Sequence, residues 1–184
     1  GKRLIDPSLN ISHVALAPNL VITAVYPLQG NEKAIGLDYK QHPKQRTAVM
    51  RALEDRQIVL AGPLELVQGG KEQLVARFPV FADSHQPWGI VAVVVKSNEL
   101  FLDAGFFDLQ RTHDLALRGK DGLGAAGATF LGDEKLFQQE VLIHRVDIPG
   151  GYWELGIQPR DGWGLAFYYQ LSLVMVAAAI CLSL

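Results

Sequence analysis

What is scarce in this sequence sets its limits. One cysteine occurs among 184 residues, Cys181, and it lies in an apolar run near the end. Residues 1–161 therefore hold no disulfide, which suits an oxidising or a reducing compartment equally. No sign of charge is in excess: 17 Lys+Arg stand against 19 Asp+Glu, a formal net charge of −2. A nearly neutral chain has no electrostatic footprint for nucleic acid, so no such partner is expected. The five histidines, His13, His42, His85, His113 and His144, show no i, i+3 or i+4 pairing. H-E-x-x-H, a Cys/His cluster, G-x-S-x-G, a Walker loop and an acidic calcium loop are all missing. No metal, cofactor or nucleophile is implied, and no catalysis by this chain is expected.

One motif is present but lacks its context. Residues 122–127, GLGAAG, fit G-x-G-x-x-G. A dinucleotide site needs a buried strand before the glycines and a long helix after them. Here Lys120-Asp121 precede them, and Gly132 follows too soon for a helix. The stretch reads as a flexible loop.

Hydrophobic residues make up 49% of the chain, enough for a sizeable core. The last charge is Asp161, and residues 162–184 are uncharged. A helix needs about 20 apolar residues to cross a bilayer. Trp163, Phe167, Tyr168 and Tyr169 stand at the near end, where an aromatic belt would lie. We expect a transmembrane helix over 162–184, cut from a longer protein, with a buried C-terminal helix as the alternative.

The rest reads as strands with few helices. LVITAVY (20–26) is rich in β-branched residues, and Pro18 and Pro27 punctuate its ends. IGLDY (35–39) is turn-like. Residues 43–56 predict a helix with Ala48, Val49, Ala52 and Leu53 on one side and Pro43 in its first turn. QIVLAGPLELV and EQLVARFPVF flank Gly69-Gly70 as a hairpin. WGIVAVVV (88–95) is the most apolar strand, and Ser97 or Asn98 caps a following helix. LALRG, ATFLG, EVLIHRVDI and YWELGIQP then predict a second, smaller sheet, with His144 on a strand surface. The fold class is α+β with antiparallel sheets.

Several of these pieces resemble a CHASE domain, a sensor module of histidine kinases and of enzymes that make or break cyclic di-GMP. The carrying residues are AP-NLVI (17–22), YPL and GNE (26–32), GLDY (36–39), VL and GP (59–63) and FPVF (78–81), with IPGGYWELGIQPRDGW (148–163) running into the apolar segment. The resemblance implies two PAS-like subdomains: residues 1–105 membrane-distal and ligand-binding, residues 106–161 membrane-proximal. It implies a homodimer in a bacterial inner membrane, with residues 1–161 in the periplasm, that binds a small molecule and signals to a cytoplasmic output. In the plant cytokinin receptors, which share the domain, an aspartate and two threonines contact the ligand. Counted from LDY, those positions fall on Gln45, Arg77 and Ala61. All three differ here, so the resemblance does not bring an adenine-type ligand with it.

Arg77 is the unusual one. An arginine in the apolar strand LVARFPVF is costly unless it is paired or wet. Val75, Arg77 and Pro79 share one strand face, and Leu74, Ala76, Phe78 and Val80 share the other, the expected core. The Arg77 face is then solvent or a pocket. Gln45 falls on the helix stripe of Ala48, Val49 and Ala52. A guanidinium fork, an amide and a helix start favour a small carboxylate or other anion. The candidate ligand-binding set is Arg77, Gln45, Asp38, Tyr39, Ala61, Val75 and Pro79. Other roles stay open: Arg77 paired to Glu65 or Glu72, Gln45 as a core amide, Asp38 as a turn cap, Tyr39 as packing. A structural or dimerising domain without a small-molecule ligand is the competing function.

Overall fold

A computed structural model describes residues 5–164 apart from 7, 8, 68, 70, 71, 84 and 85. Two antiparallel sheets carry it, an α+β arrangement. The first has five strands in the order β2-β1-β5-β4-β3: β1 (Ile11–Pro18), β2 (Ala24–Tyr26), β3 (Val59–Leu64), β4 (Gln73–Phe81) and β5 (Pro87–Val95). The second has four, in the order β7-β6-β9-β8: β6 (His113–Arg118), β7 (Thr129–Leu131), β8 (Leu142–Ile148) and β9 (Gly151–Pro159). Helix α1 (Arg46–Asp55) lies on the first sheet, and α2 (Ser97–Asp103) and α3 (Phe106–Leu109) connect the sheets.

Both faces of the first sheet are covered. Ala15, Ala17, Val59, Ala61, Val75, Ile90, Ala92 and Val94 form one interior with Val49 and Ala52 of α1 and with Leu20, Ile22, Ala34 and Tyr39. The opposite face gives Leu74 to a second core with Phe101, Phe106, Leu115, Leu117 and Trp153, which bridges to the second sheet. Phe101, Phe130 and Trp153 meet there at centroid distances of 5.3–6.2 Å, within the range of favourable aromatic pairs.

Two backbone donors on the outer edge of β3 tie the sheets together. Leu60 N–H donates to the Pro149 carbonyl at 2.9 Å. Gly62 N–H donates to Asp121 Oδ1 at 2.7 Å. Arg51 of α1 completes the junction, its Nη2 donating to the Asp121 carbonyl at 2.8 Å.

The first strand departs from its expected place. It is ISHVALAP, and only Ala24–Tyr26 of LVITAVY pairs as a strand. Asn19 and Leu20 are left-handed, with φ of 51° and 70°, which breaks extended pairing between them. No side chain caps α2: its N-cap is Lys96, and Ser97 Oγ instead donates to the Glu72 carbonyl at 2.6 Å. The expected span over 162–184 lies almost wholly outside the described residues. Among those described, no helix is long and apolar enough to cross a membrane.

The GLGAAG stretch is not a flexible loop. It forms a 3-10 turn at Gly124–Ala126, after a turn at Lys120–Gly122 in which Asp121 is left-handed at φ 62°, and Leu123 bridges to Tyr152. Gly124 has φ +56°, and a Cβ there would overlap the Tyr152 ring. Gly105 is also left-handed, at φ +73°, but its Cβ would meet open space. Gly105→Ala should cost about 1–2 kcal/mol from backbone strain alone. Gly124→Ala should cost more, about 2–5 kcal/mol, as overpacking adds to the strain. Urea unfolding of both variants measures the difference; equal losses would mean that the Tyr152 contact is unimportant.

Candidate functional site

Strand β4 alternates as a pleated strand must, but its faces are not ranked as the pattern suggests. Val75 and Arg77 are 1% and 0% exposed and Pro79 is half-buried, while on the expected core face Leu74 is 0% exposed but Ala76, Phe78 and Val80 are only half-buried. The Arg77 face is therefore the main interior under α1, not a solvent face. The reason is the helix: α1 packs on β3 and β4 from that side.

Arg77 is the largest fully buried side chain described. Its Nη2 donates to Gln45 Oε1 at 3.1 Å, and its Nη1 donates to the Val75 carbonyl at 3.3 Å. The Nε–H is buried without an acceptor. Among the described residues no carboxylate lies within ion-pair distance of it. The hairpin pairing with Glu65 or Glu72 does not occur; Glu72 instead faces Lys120 at 4.0 Å. Burial pushes the Arg77 pKa down, and the nearby Tyr39 and Asp121 oppose that shift.

Gln45 stands as N-cap of α1 and is 2% exposed. Its N–H and that of Arg46 both donate to the His42 carbonyl, so Pro43–Gln45 form a turn and the helix starts three residues later than expected. Tyr39, 2% exposed, is held by its N–H donating to the Leu20 carbonyl. Burial raises its pKa and the Arg77 charge lowers it, so the phenol stays protonated at neutral pH.

Gln45 and Tyr39 border a small cavity, which Arg77 itself does not line. It measures ≈ 20 Å³, and its lining includes His13, Tyr39, Gln45, Leu66, Val67 and Val75. That is room for about one water. Three predicted residues, Gln45, Tyr39 and Val75, line it, and Arg77 reaches the group from behind through its hydrogen bonds to Gln45 and Val75. Ala61 is buried in the same core, paired with Val75, but does not line the cavity. Pro79 is half-buried farther along the strand, opposite Ile90. Asp38 is turned away: its carboxylate accepts from Lys40 N–H at 2.9 Å and from Gln41 Nε2 at 3.1 Å, closing its own turn.

His13 was not singled out by the sequence reading. It is 3% exposed, contacts Ser12 Oγ at 3.1 Å through Nδ1, and is held below its ordinary pKa by burial. The alternation His13, Ala15, Ala17 in HVALA was the available signal.

The family model described as the CHASE domain matches residues 8–131. No curated protein matches the sequence. Among solved structures, the chain is similar to an extracellular ligand binding receptor from Desulfohalobium retbaense DSM5692, with a TM-score of 0.58 and 15% identity. The match covers 80% of this chain and 30% of that one, so this chain spans under a third of that receptor. It is also similar to the ligand-binding domain of the Pseudomonas aeruginosa PAO1 amino acid chemoreceptor PctC, in complex with GABA, with a TM-score of 0.52 and 16% identity. That match covers 80% of this chain and 74% of the other. At these identities the likeness is one of fold.

Removing the amide that holds Arg77 should be costly. Gln45→Leu should lose about 1.5–3 kcal/mol, the value of a hydrogen bond to a charged group. Arg77→Met should be nearly neutral or stabilising, since it removes the buried cation altogether. In the Arg77→Met background, Gln45→Leu should cost little; an equal loss in both backgrounds would show that Gln45 acts elsewhere. His13 predicts a pH dependence. The folded state holds it neutral below its ordinary value near 6.5, so the unfolded chain binds the proton first. Stability should fall as pH drops through about 6.5 and toward the folded pKa. His13→Gln should flatten that decline in a denaturation series from pH 8 to 5.

Proposed function

The chain belongs to the CHASE domain family, and from that premise we propose that it is the extracytoplasmic sensor part of a membrane signalling protein. Residues 1–105 form the ligand-binding unit, residues 106–161 the membrane-proximal unit, and residues 162–184 the helix that leads to a cytoplasmic output. The output is a cyclic-di-GMP enzyme or a histidine kinase, working as a homodimer in a bacterial inner membrane with residues 1–161 in the periplasm. The chain itself performs no catalysis.

One observation carries the ligand reading: a fully buried guanidinium with a spare Nε–H and no carboxylate partner among the described residues. A small carboxylate or other anion would supply the missing countercharge. Arg77 and Gln45 would hold it, with Tyr39 and Val75 as walls. Ala61 and Pro79 support the sheet behind them, and Asp38 shapes the turn that carries Tyr39. The ≈ 20 Å³ cavity is too small for such an anion as it stands. Binding would therefore select a state in which Leu66 and Val67, part of the cavity wall, move aside. The ligand shifts the balance only by its preference for that open state.

The same cavity size favours a second reading, a domain that sets the spacing of membrane helices and binds no small molecule. Thermal unfolding against acetate, lactate, succinate, glutamate and phosphate separates the two. A true ligand should raise stability by about 2.7 kcal/mol at a hundred times its dissociation constant. It should do so in the native chain and not in Arg77→Met. Equal stabilisation of both would keep the sensor and remove Arg77 from the contact. No shift with any anion would favour the spacing domain.

A further inference from the structure

A second concave feature shares no wall with the interior cavity beside Gln45 and Tyr39. It is a cleft of ≈ 520 Å³ between α1 and the Lys120–Gly122 turn. That volume lies within the usual range for small-molecule sites. Its walls are charged in opposite senses. Lys44 and Arg51 stand on the α1 side, and Glu65 stands opposite, after β3. Leu64 and Leu123 give apolar surface between them, which strengthens any charge contact made there.

The other charges in the cleft are engaged. Glu72 faces Lys120, and the Asp121 carboxylate accepts from Gly62 N–H. Lys44 and Glu65 form no ion pair with any described residue. Arg51 is oriented by a neutral group, the Asp121 carbonyl at 2.8 Å. Its Nε–H is buried and has no acceptor. The cleft thus offers a fixed cation with a spare donor, a second cation beside it, and a free carboxylate across from both.

We infer that this cleft is a second ligand site, which takes a small zwitterion with its carboxylate on Arg51 and Lys44 and its ammonium on Glu65. A single anion would leave Glu65 unmatched, and a single cation would sit against Arg51. The Lys120–Leu123 turn of the second sheet's side forms the far wall of the cleft. This inference is independent of the interior anion site.

Titration calorimetry on the 184-residue chain tests it, with glycine, β-alanine and γ-aminobutyrate as probes and butyrate and butylamine as one-charge controls. At least one amino acid should bind tenfold or more tighter than either control. Lys44→Gln and Glu65→Gln, both at exposed positions, should each weaken it at least fivefold. Arg51→Lys should weaken it further, and His144→Gln, at an exposed position on β8 outside the cleft, should leave it within twofold. The inference is overturned if no amino acid binds, if the controls bind as well, or if the Lys44 and Glu65 variants bind like the native chain. Binding lost in Gln45→Leu but kept in the cleft variants would also overturn it, and would point to the interior site instead.

Discussion

The guanidinium of Arg77 sits under the first sheet on β4, beside the edge strand β3, with no carboxylate at ion-pair distance among the described residues. Desolvating such a cation costs several kcal/mol, and the surroundings recover only part of it. The parts come from separate elements: an amide at the start of α1, a carbonyl of β4 itself, and the field of Asp121. Each must be in place for the charge to be tolerated. The turn before α1 and the Lys120–Gly122 turn are therefore linked through one side chain.

That constraint makes the interior responsive to charge. A core closed around Leu or Met would be indifferent to an arriving anion. A core closed around an under-satisfied cation is not: its energy depends on whether a countercharge is present. The second unit enters the same balance through Asp121, whose carboxylate acts on Arg77 while bonding β3.

Much of this was legible in the residues. The β3–β4 hairpin, β5, and all four strands of the second sheet lay where alternation and turn signals put them. Arg77 and Gln45 stood out as polar residues on apolar stripes, and they meet. The rank of the two β4 faces was not legible. It depends on which face α1 covers, and a strand pattern carries no information about a helix 20 residues away. The tightness of GLGAAG was hidden for a similar reason. Glycine permits both a mobile loop and a close approach, and only the position of Tyr152 tells them apart. Asp38 looked like a ligand contact by position, yet its nearest donors are its own neighbours in the turn.

Consider β3 as the rim of the first sheet. An exposed strand rim is a template on which another chain can add. Here its outward donors are already taken, Leu60 N–H by Pro149 and Gly62 N–H by Asp121, and Pro63 has none to offer. The second unit thus shields the first from strand addition. Without Pro149 and Asp121 the rim of β3 would lie bare, so the turns of the second sheet guard the first against association with other chains.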